Sequence, residues 1–456
     1  MFKYSVNPDH QVWNRYEKIL FRIAFIYFAL QVVPLDWKYY RHLFSISWLD
    51  LSFKELFHVA RYTPQFGSSY QEHDWGLATF SDWAIILAIA ILAGTIWSLS
   101  DRKRKNYQAL YSWLRVLVRY RLAIAVIAYG FLKLFAIQSP QPSLSSLNTP
   151  YGDFTAWKLF SLSLGIVPGY QSFLGAVELI AGLLLLFRKT SVIGATIIIF
   201  FTGNVFMSNL AYEGGEVVYS FFLVTLALFL VAYDLQRIIS LIVLNKPTAP
   251  AWSGIKWTKG QQLVQAGLKS LIVLVFVVIY GFSAKRNAAK GGYHFDHVPA
   301  IKGFNGLYDV TSFSINGQVL PYNSADSLRW QNVVFEKWAS FSIKINGKYQ
   351  VLNDSVENVP LAGDRSAFEY TGTRGRKYYS YRADTVQQVL HLQDPLQEKL
   401  STPQPPAQLS YIQHPDATIT LKGFLNGKNI VAILEKSNKK YLLKASEKGR
   451  RSGLKL

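Results

Sequence analysis

The chain has 456 residues, half of them hydrophobic, no cysteine and a formal net charge of +20. Without cysteine there is no disulfide, no thiolate nucleophile, no cysteine-ligated zinc and no ordinary iron–sulfur cluster. The positive charge divides about evenly between the segments before and after residue 285, which is no nucleic-acid footprint, and no nucleic-acid partner is expected.

Seven stretches, near 17–34, 82–99, 113–137, 171–187, 190–207, 218–234 and 267–284, are apolar over close to the roughly 20 residues that cross a hydrocarbon core. They predict a polytopic helical membrane protein. The first stretch has a long polar leader and no small-residue cleavage site after it, so it reads as a span rather than a removable signal. Arg102, Lys103, Arg104 and Lys105 join spans two and three, Arg188 and Lys189 join four and five, and Arg237, Lys246, Lys256 and Lys259 lie between six and seven. Basic loops stay on the cytoplasmic side. The N-terminus, with Lys3, Arg15 and Lys18, falls on that side, and the chain after the last span emerges on the other. The expected location is the bacterial inner membrane. Residues 47–61 and 153–165 carry apolar residues at helical spacing and are expected to be short interfacial helices on the outer leaflet.

From about residue 300 the hydrophobic period becomes two, as in Ser340–Ile345, Thr418–Leu425 and Asn429–Glu435. Asn-Gly pairs begin at Asn305, Asn316, Asn346 and Asn426, the last three between strand-like runs. Asn-Gly between alternating runs signals a hairpin, because both turn residues accept positive φ. About ten short strands predict an antiparallel barrel or sandwich. With Gly306-Leu-Tyr308 at its start, the strand succession resembles a lipocalin-like barrel in topology. The proline-rich stretch 401–407 reads as a loop inside this domain. The expected domains are a two-span region at 1–112, a four-helix membrane core at 113–240, a cytoplasmic loop, last span and linker at 241–299, and a periplasmic β domain at 300–456.

Residues 120–240 contain Tyr129-Gly-Phe-Leu-Lys-Leu-Phe-Ala-Ile-Gln138, Gly175-Ala-Val-Glu-Leu-Ile-Ala-Gly-Leu-Leu-Leu-Leu-Phe-Arg-Lys189, Gly194 with Gly203-Asn-Val-Phe206, and Asp234-Leu-Gln-Arg237. This ordered set resembles the DoxX-like family of bacterial membrane proteins over about a quarter of the chain. The resemblance implies a compact four-helix membrane bundle. The family is named for a small membrane subunit of thiosulfate:quinone oxidoreductase, and most members have no assigned activity. The resemblance therefore implies a fold rather than a reaction.

An ionised side chain in lipid needs a partner, a proton or a water-filled cavity. Lys133, Glu178 and Asn204, on three consecutive spans, fall roughly 5–10 Å below the outer surface at 1.5 Å per residue. Tyr129 shares a helical face with Lys133, and Gln138 and Asn209 are positioned to line a mouth. Two readings stand side by side. In one, these residues form an outward-facing pocket for a quinone headgroup, a lipid headgroup or a small polar solute, with Glu178 exchanging a proton. In the other, Glu178 and Lys133 form a structural ion pair, or Lys133 snorkels to the headgroups. Asp234 and Arg237 read as an ion pair at a helix end. Gly175, Gly182, Gly194 and Gly203 are expected to allow close helix approach. His42, Glu55, His58, Glu72, His73 and Asp74 in the loop 35–81 are read as solvated loop residues; only Glu55 and His58 have the i, i+3 spacing of a shared metal. No metal site or resident cofactor is expected. Trp330, Trp338, Tyr378 and Tyr379 are read as core or hairpin aromatics rather than cavity lining. No nucleophile elbow, P-loop, Rossmann fingerprint or zinc-protease motif is found.

The leading expectation is a non-catalytic inner-membrane subunit of an envelope assembly, with the bilayer and envelope proteins as partners and the β domain as interaction or ligand-binding module. The alternatives are a quinone-binding subunit of an oxidoreductase, with its redox centre on another chain, and a small-solute or lipid transporter.

Overall fold

The computed structural model describes residues 13–48, 51–64, 77–248, 258–295, 298–323, 326–349, 351, 359, 367–395 and 407–443. Lys3, Glu72, His73, Asp74, Lys256 and the proline-rich residues 401–406 lie outside them. In chain order the helices are α1 (Arg15–Val32), α2 (Trp37–Ser45), α3 (Phe53–Ala60), α4 (Ser81–Ser100), α5 (Gln108–Leu134), α6 (Leu144–Leu147), α7 (Ala156–Gly165), α8 (Pro168–Leu185), α9 (Ser191–Tyr212), α10 (Val217–Ala232), α11 (Leu235–Ile242), α12 (Lys259–Val273) and α13 (Tyr280–Ala289). The strands are β1 (Gly306–Ile315), β2 (Gln318–Val319), β3 (Trp330–Phe335), β4 (Ser340–Ile345), β5 (Lys377–Asp384), β6 (Val389–Gln393), β7 (Gln408–Gln413), β8 (Thr418–Leu425) and β9 (Lys428–Lys436). The chain forms two units. A helical unit takes the described residues up to Phe135 together with Ser172–Asn287, and a barrel unit takes Ala136–Gln171 with the chain from Ala288 onward.

The helical unit is organised around α5, whose residues are buried almost continuously from Val118 to Lys133. Its neighbours include α1, α3 and α10. Tyr280 of α13 joins them by donating to the Ala128 carbonyl. On the α8 side glycine decides the spacing. A Cβ at Gly175 would lie 2.1 Å from the Leu134 nitrogen, and one at Gly130 2.9 Å from the Leu179 nitrogen. Gly182 and Gly194 are similarly crowded, by Ile127 and by the Ala181 carbonyl, whereas Gly203 has open space. Three of the four glycines expected to allow close helix approach therefore do so.

Among the described residues, five helical stretches are long and apolar enough to cross a membrane: Arg15–Ser45, Ser81–Ser100, Pro168–Leu185, Ser191–Tyr212 and Lys259–Ala289. The joined pair α10 and α11 makes a sixth if its 70° bend is taken within one span. Leu92, Phe200, Leu263 and Phe282 on these stretches are exposed. Of the seven expected stretches, α5 stands outside this set because, although 27 residues long, it carries Arg115, Arg119, Arg121 and Lys133. Its amphipathic charge is turned into the protein.

Within the expected interfacial segment 47–61, residues 53–60 do not lie free on a surface. Helix α3 starts with a capping box in which the Glu55 carboxylate accepts from the Ser52 nitrogen at 3.0 Å. Phe53, Leu56, Phe57 and Ala60 are then buried, with the Phe57 ring 5.1 Å from that of Tyr129 on α5. The apolar face that suggested an interfacial helix is covered by protein. Helix α2, outside the two expected interfacial segments, keeps Trp37 and Phe44 exposed instead.

In the barrel unit β1 pairs antiparallel with β3, each strand from β3 to β8 pairs antiparallel with the next, and β9 returns to pair with β1. Eight strands close a barrel, and two-residue β2 is a spur on β1. Asn316-Gly317 and Asn426-Gly427 form tight turns, with φ of 51°, 84°, 50° and 77° in turn. Asn346-Gly347 makes no such hairpin, because β4 pairs with β5, which begins only at Lys377. Alternation sends Phe313, Phe335, Phe341, Tyr379, Tyr381 and Leu421 into one packed core. Trp330 stands against Phe313 at 5.2 Å and Tyr379 against Phe341 at 5.6 Å, so both are core residues. Helix α7 belongs to this unit. It buries Trp157 and Leu162 with Phe368, so the second expected interfacial helix is also covered by protein.

The glycine seam yields a test. Gly175→Ala in the full-length protein should lower thermal stability by about 1–3 kcal/mol through overpacking. Gly203→Ala, with free space, should be neutral or raise it by up to about 1 kcal/mol. Equal effects of the two in a detergent melting assay would contradict the seam.

Candidate functional site: buried charges in each unit

The close approach of α5 and α8 puts Lys133 Nζ 2.5 Å from Glu178 Oε1, with the two side chains only 7% and 6% exposed. The other carboxylate oxygen of Glu178 is buried without a hydrogen bond. One turn before Lys133, the Tyr129 hydroxyl accepts from Arg61 Nε at 2.9 Å. Arg61 also pairs with Glu216 Oε1 at 3.0 Å and lies over the Tyr219 ring. Tyr129 and Tyr219 rings are 5.5 Å apart, and Lys133 Nζ is 6.0 Å from the Tyr129 ring. Two ion pairs are thus joined through one tyrosine.

The expected site residues separate in three ways. Lys133, Glu178 and Tyr129 come together. Asn209 is buried but serves the second pair: its Oδ1 accepts from the Glu216 nitrogen at 3.2 Å, and its Nδ2 donates to the Val205 carbonyl. Asn204 does not reach the pair, because its side chain is exposed on α9. Gln138 belongs to the barrel unit, where its backbone carbonyl accepts from His294 Nε2 at 2.7 Å. Asp234 binds Arg237 at 2.6 Å, as its spacing implied, and also Arg115 of α5 at 3.2 Å. Arg115 in turn lies 3.8 Å over the Tyr233 ring. The participation of Arg61 and Glu216 was missed. Glu216 lies in the outer loop 208–217 between the fifth and sixth expected spans, and Arg61 ends the segment 47–61 expected on the outer leaflet. The only available signal was that the loop 208–217 carries acids and no base. Among the described residues no group of three or more metal-binding side chains is assembled.

The barrel unit buries a second set of charges on the outer side of β3 to β5. Arg376 donates to Ser342 Oγ at 2.6 Å, to Asn332 Oδ1 at 2.8 Å and to the Ser342 carbonyl at 3.1 Å. Glu336 accepts from the backbone of Ser145 at 2.7 Å and Leu144 at 3.3 Å, at the start of α6. Glu369 accepts from Trp338 Nε1 at 3.1 Å and from Ser340 Oγ at 3.2 Å. Lys158 of α7 donates to the Phe368 carbonyl and sits over that ring. Trp338 is thus a hairpin aromatic between β3 and β4 rather than cavity lining: it stacks on Phe295 at 4.2 Å and hydrogen-bonds an acid. Burial, helped by the charge of Glu336, pushes the Glu369 carboxyl up to about 8. Burial brings the Lys158 ammonium down to about 7, against the pull of Glu369. Burial likewise brings His294 down to about 3. These groups tie 139–171 to the barrel wall of the same unit, and in the sequence no spacing links Lys158, Glu336, Glu369 and Arg376 to one another.

No family model, curated protein or solved structure matches the chain. The two charge sets therefore have to be read from their own chemistry. Breaking a buried ion pair by removing one partner typically costs about 3–5 kcal/mol, because the other charge is stranded.

A double-mutant cycle separates the pair from its surroundings. Lys133→Met and Glu178→Gln should each destabilise the full-length protein, and the double variant should lose at least about 1 kcal/mol less than the sum. Additive losses in detergent unfolding would show that the two side chains do not act together.

A raised carboxyl pKa stabilises the fold fully below its ordinary value of 4.5 and loses that contribution as pH climbs through about 8. Glu369→Gln stays neutral at every pH. Its melting temperature relative to the unsubstituted protein should therefore rise between about pH 4.5 and pH 8 and then level off. A gap that does not change across that range would mean that Glu369 ionises in the fold as a free acid does.

Proposed function

We propose that this chain is an integral inner-membrane protein acting as a non-catalytic subunit of a bacterial envelope assembly, with its helical unit in the bilayer and its barrel unit presented to the periplasm for interaction. The observation that carries the reading is the pairing, in one chain, of five long helical stretches with exposed apolar side chains and a closed barrel whose interior is filled by its own aromatics. The first is the surface expected against lipid. The second favours recognition by the barrel's outer surface over binding of a ligand within it.

Helix α5, buried almost continuously from Val118 to Lys133, and α10, just short of span length, complete a seven-span arrangement. The gathering of α5, α8, α9 and α10 in one unit supports kinship with DoxX-like bundles. Basic residues in the loops support a cytoplasmic N-terminus. The direct Lys133–Glu178 pair, with Asn204 turned away, supports the structural-lock reading over a quinone pocket built on those three residues. The transporter reading has no comparable support.

Purification from native membranes in mild detergent should yield a complex larger than the monomer, and a phosphatase fused after Lys436 should be active, as a periplasmic reporter is. A persistent monomer under every mild condition would sink the assembly reading, and an inactive but expressed fusion would place the barrel on the cytoplasmic side.

A further inference from the structure

Helix α11 is inside out for a helix at the edge of a protein in water. At 100° per residue Leu235, Ile238, Ile239 and Ile242 fall on one side and Gln236, Arg237 and Ser240 on the other. The apolar side is the open one, with Leu235 48%, Ile239 43% and Ile242 70% exposed. Beside it Leu241, Val243 and Leu244 are exposed as well. From the polar side Arg237 binds Asp234, and the same carboxylate holds Arg115 of α5. A surface helix in water turns its apolar stripe to the core and its charges outward. Here that order is reversed, which calls for an apolar exterior.

The place of α11 in the helical unit says which exterior this is. The helix leaves α10 through a 70° bend. Asp234, and Arg115 lying over the Tyr233 ring, hold that corner. Helix α10 has 16 residues, about 24 Å, and stops short of a hydrocarbon core of about 30 Å. A corner at that depth sets α11 at the boundary between acyl chains and headgroups, running close to the membrane plane when α10 stands upright. Contacts gather basic residues at the same end. Gln108, at the start of α5, donates to the Tyr233 hydroxyl, and the loop before it exposes Arg102, Lys103, Arg104 and Lys105. Helices α9 and α10 are joined by the short turn 213–216 and pack along each other, so the start of α9, with exposed Lys189 before it, lies toward the corner. Lys246 follows α11 and is exposed. The turn at the other end of α10 carries Glu213 and Glu216 instead.

We propose that α11 is an interfacial anchor for an anionic phospholipid surface. It lays Leu235, Ile239 and Ile242 into the acyl boundary of the leaflet, while Lys103, Lys105, Lys189 and Lys246 meet the lipid phosphates. The inference rests on the reading that the helical unit lies in the bilayer. It extends that reading by placing α11 along the membrane rather than across it, and by choosing the charge of the lipid. Apolar burial supplies the attachment, and the basic rim supplies the preference for negative headgroups.

The chain has no cysteine, so a single spin label can be placed on the full-length protein through Ile242→Cys, or through Leu92→Cys or Phe200→Cys on α4 and α9. Each labelled protein is reconstituted into liposomes of phosphatidylglycerol and phosphatidylcholine. The label at Ile242 should be relaxed by dissolved oxygen more than by a water-soluble nickel chelate, at a depth just below the phosphates. Native mass spectrometry should show phosphatidylglycerol retained in preference to phosphatidylcholine, and Lys105→Gln, Lys189→Gln and Lys246→Gln should each reduce that preference about fivefold. A label at Ile242 reached chiefly by nickel, with Leu92 and Phe200 reached by oxygen, would overturn the anchor and leave the membrane reading standing. Nickel access at all three positions would remove the membrane reading and the anchor together. A label at Ile242 shielded from both reagents would give the face to a protein partner and overturn the anchor. Equal retention of the two lipids, unchanged by the lysine substitutions in protein that still melts cooperatively, would overturn the choice of an anionic surface.

Discussion

Contact between α5 and α8, backbone against backbone, is the constraint from which the helical unit follows. Gly130 and Gly175 leave no room for a side chain between the two helices. Only at that separation does the Lys133 ammonium meet the Glu178 carboxylate directly, without an intervening amide or solvent-exposed rim. Small residues at a helix interface raise packing contact where lipid offers no hydrophobic drive for association. The ion pair then fixes rotation and register, since sliding either helix by a turn would strand both charges.

The two units meet one problem, the desolvation of charge, with different means. In the helical unit the means are direct pairs: Lys133 with Glu178, Arg61 with Glu216, and Asp234 with Arg237 and Arg115. Arg22 and Arg121 are exceptions, held by the Tyr107 hydroxyl and by the Asp101 and Tyr62 carbonyls. In the barrel unit Arg376, Glu336 and Glu369 are held mainly by hydroxyls, an amide, an indole N–H and backbone groups. Hydrogen bonds of this kind stabilise a buried group at modest net gain but make its loss expensive. Burial is what carries Lys158 and Glu369 so far from their ordinary titration ranges, since neither has a close ion-pair partner among the described residues to offset it.

Much of this was legible in the residues. Period-two alternation in Ser340–Ile345 and Thr418–Leu425 marked strands that the fold contains with the same bounds. Asn316-Gly317 and Asn426-Gly427 marked their turns, because the requirement for positive φ is local. Asn346-Gly347 carries the same chemistry without the hairpin, since a turn preference cannot specify which later strand pairs with β4. In the same way, depth counting brought Lys133 and Glu178 to one level but failed for Asn204. Rise per residue gives height along a helix; the direction a side chain points depends on how that helix is rotated against its neighbours.

What the sequence determined by itself was therefore one-dimensional: apolar length, hydrophobic period, local turn chemistry and the depth of a charge along its helix. It determined that helical and β-rich parts share the chain, and that Glu178 needed a partner. The tertiary structure alone decided what covers each apolar face. Helices α3 and α7 have the amphipathic pattern of surface-bound segments, yet one is buried against α5 and the other joins the barrel unit through Phe368. An apolar stripe has the same signature whether lipid or protein lies against it, because burial is non-directional and rewards either. The roles of Arg61, Arg121 and Glu216 depended on the same choice, since only the inward packing of α3 and the loop after it carries their partners into the helical unit.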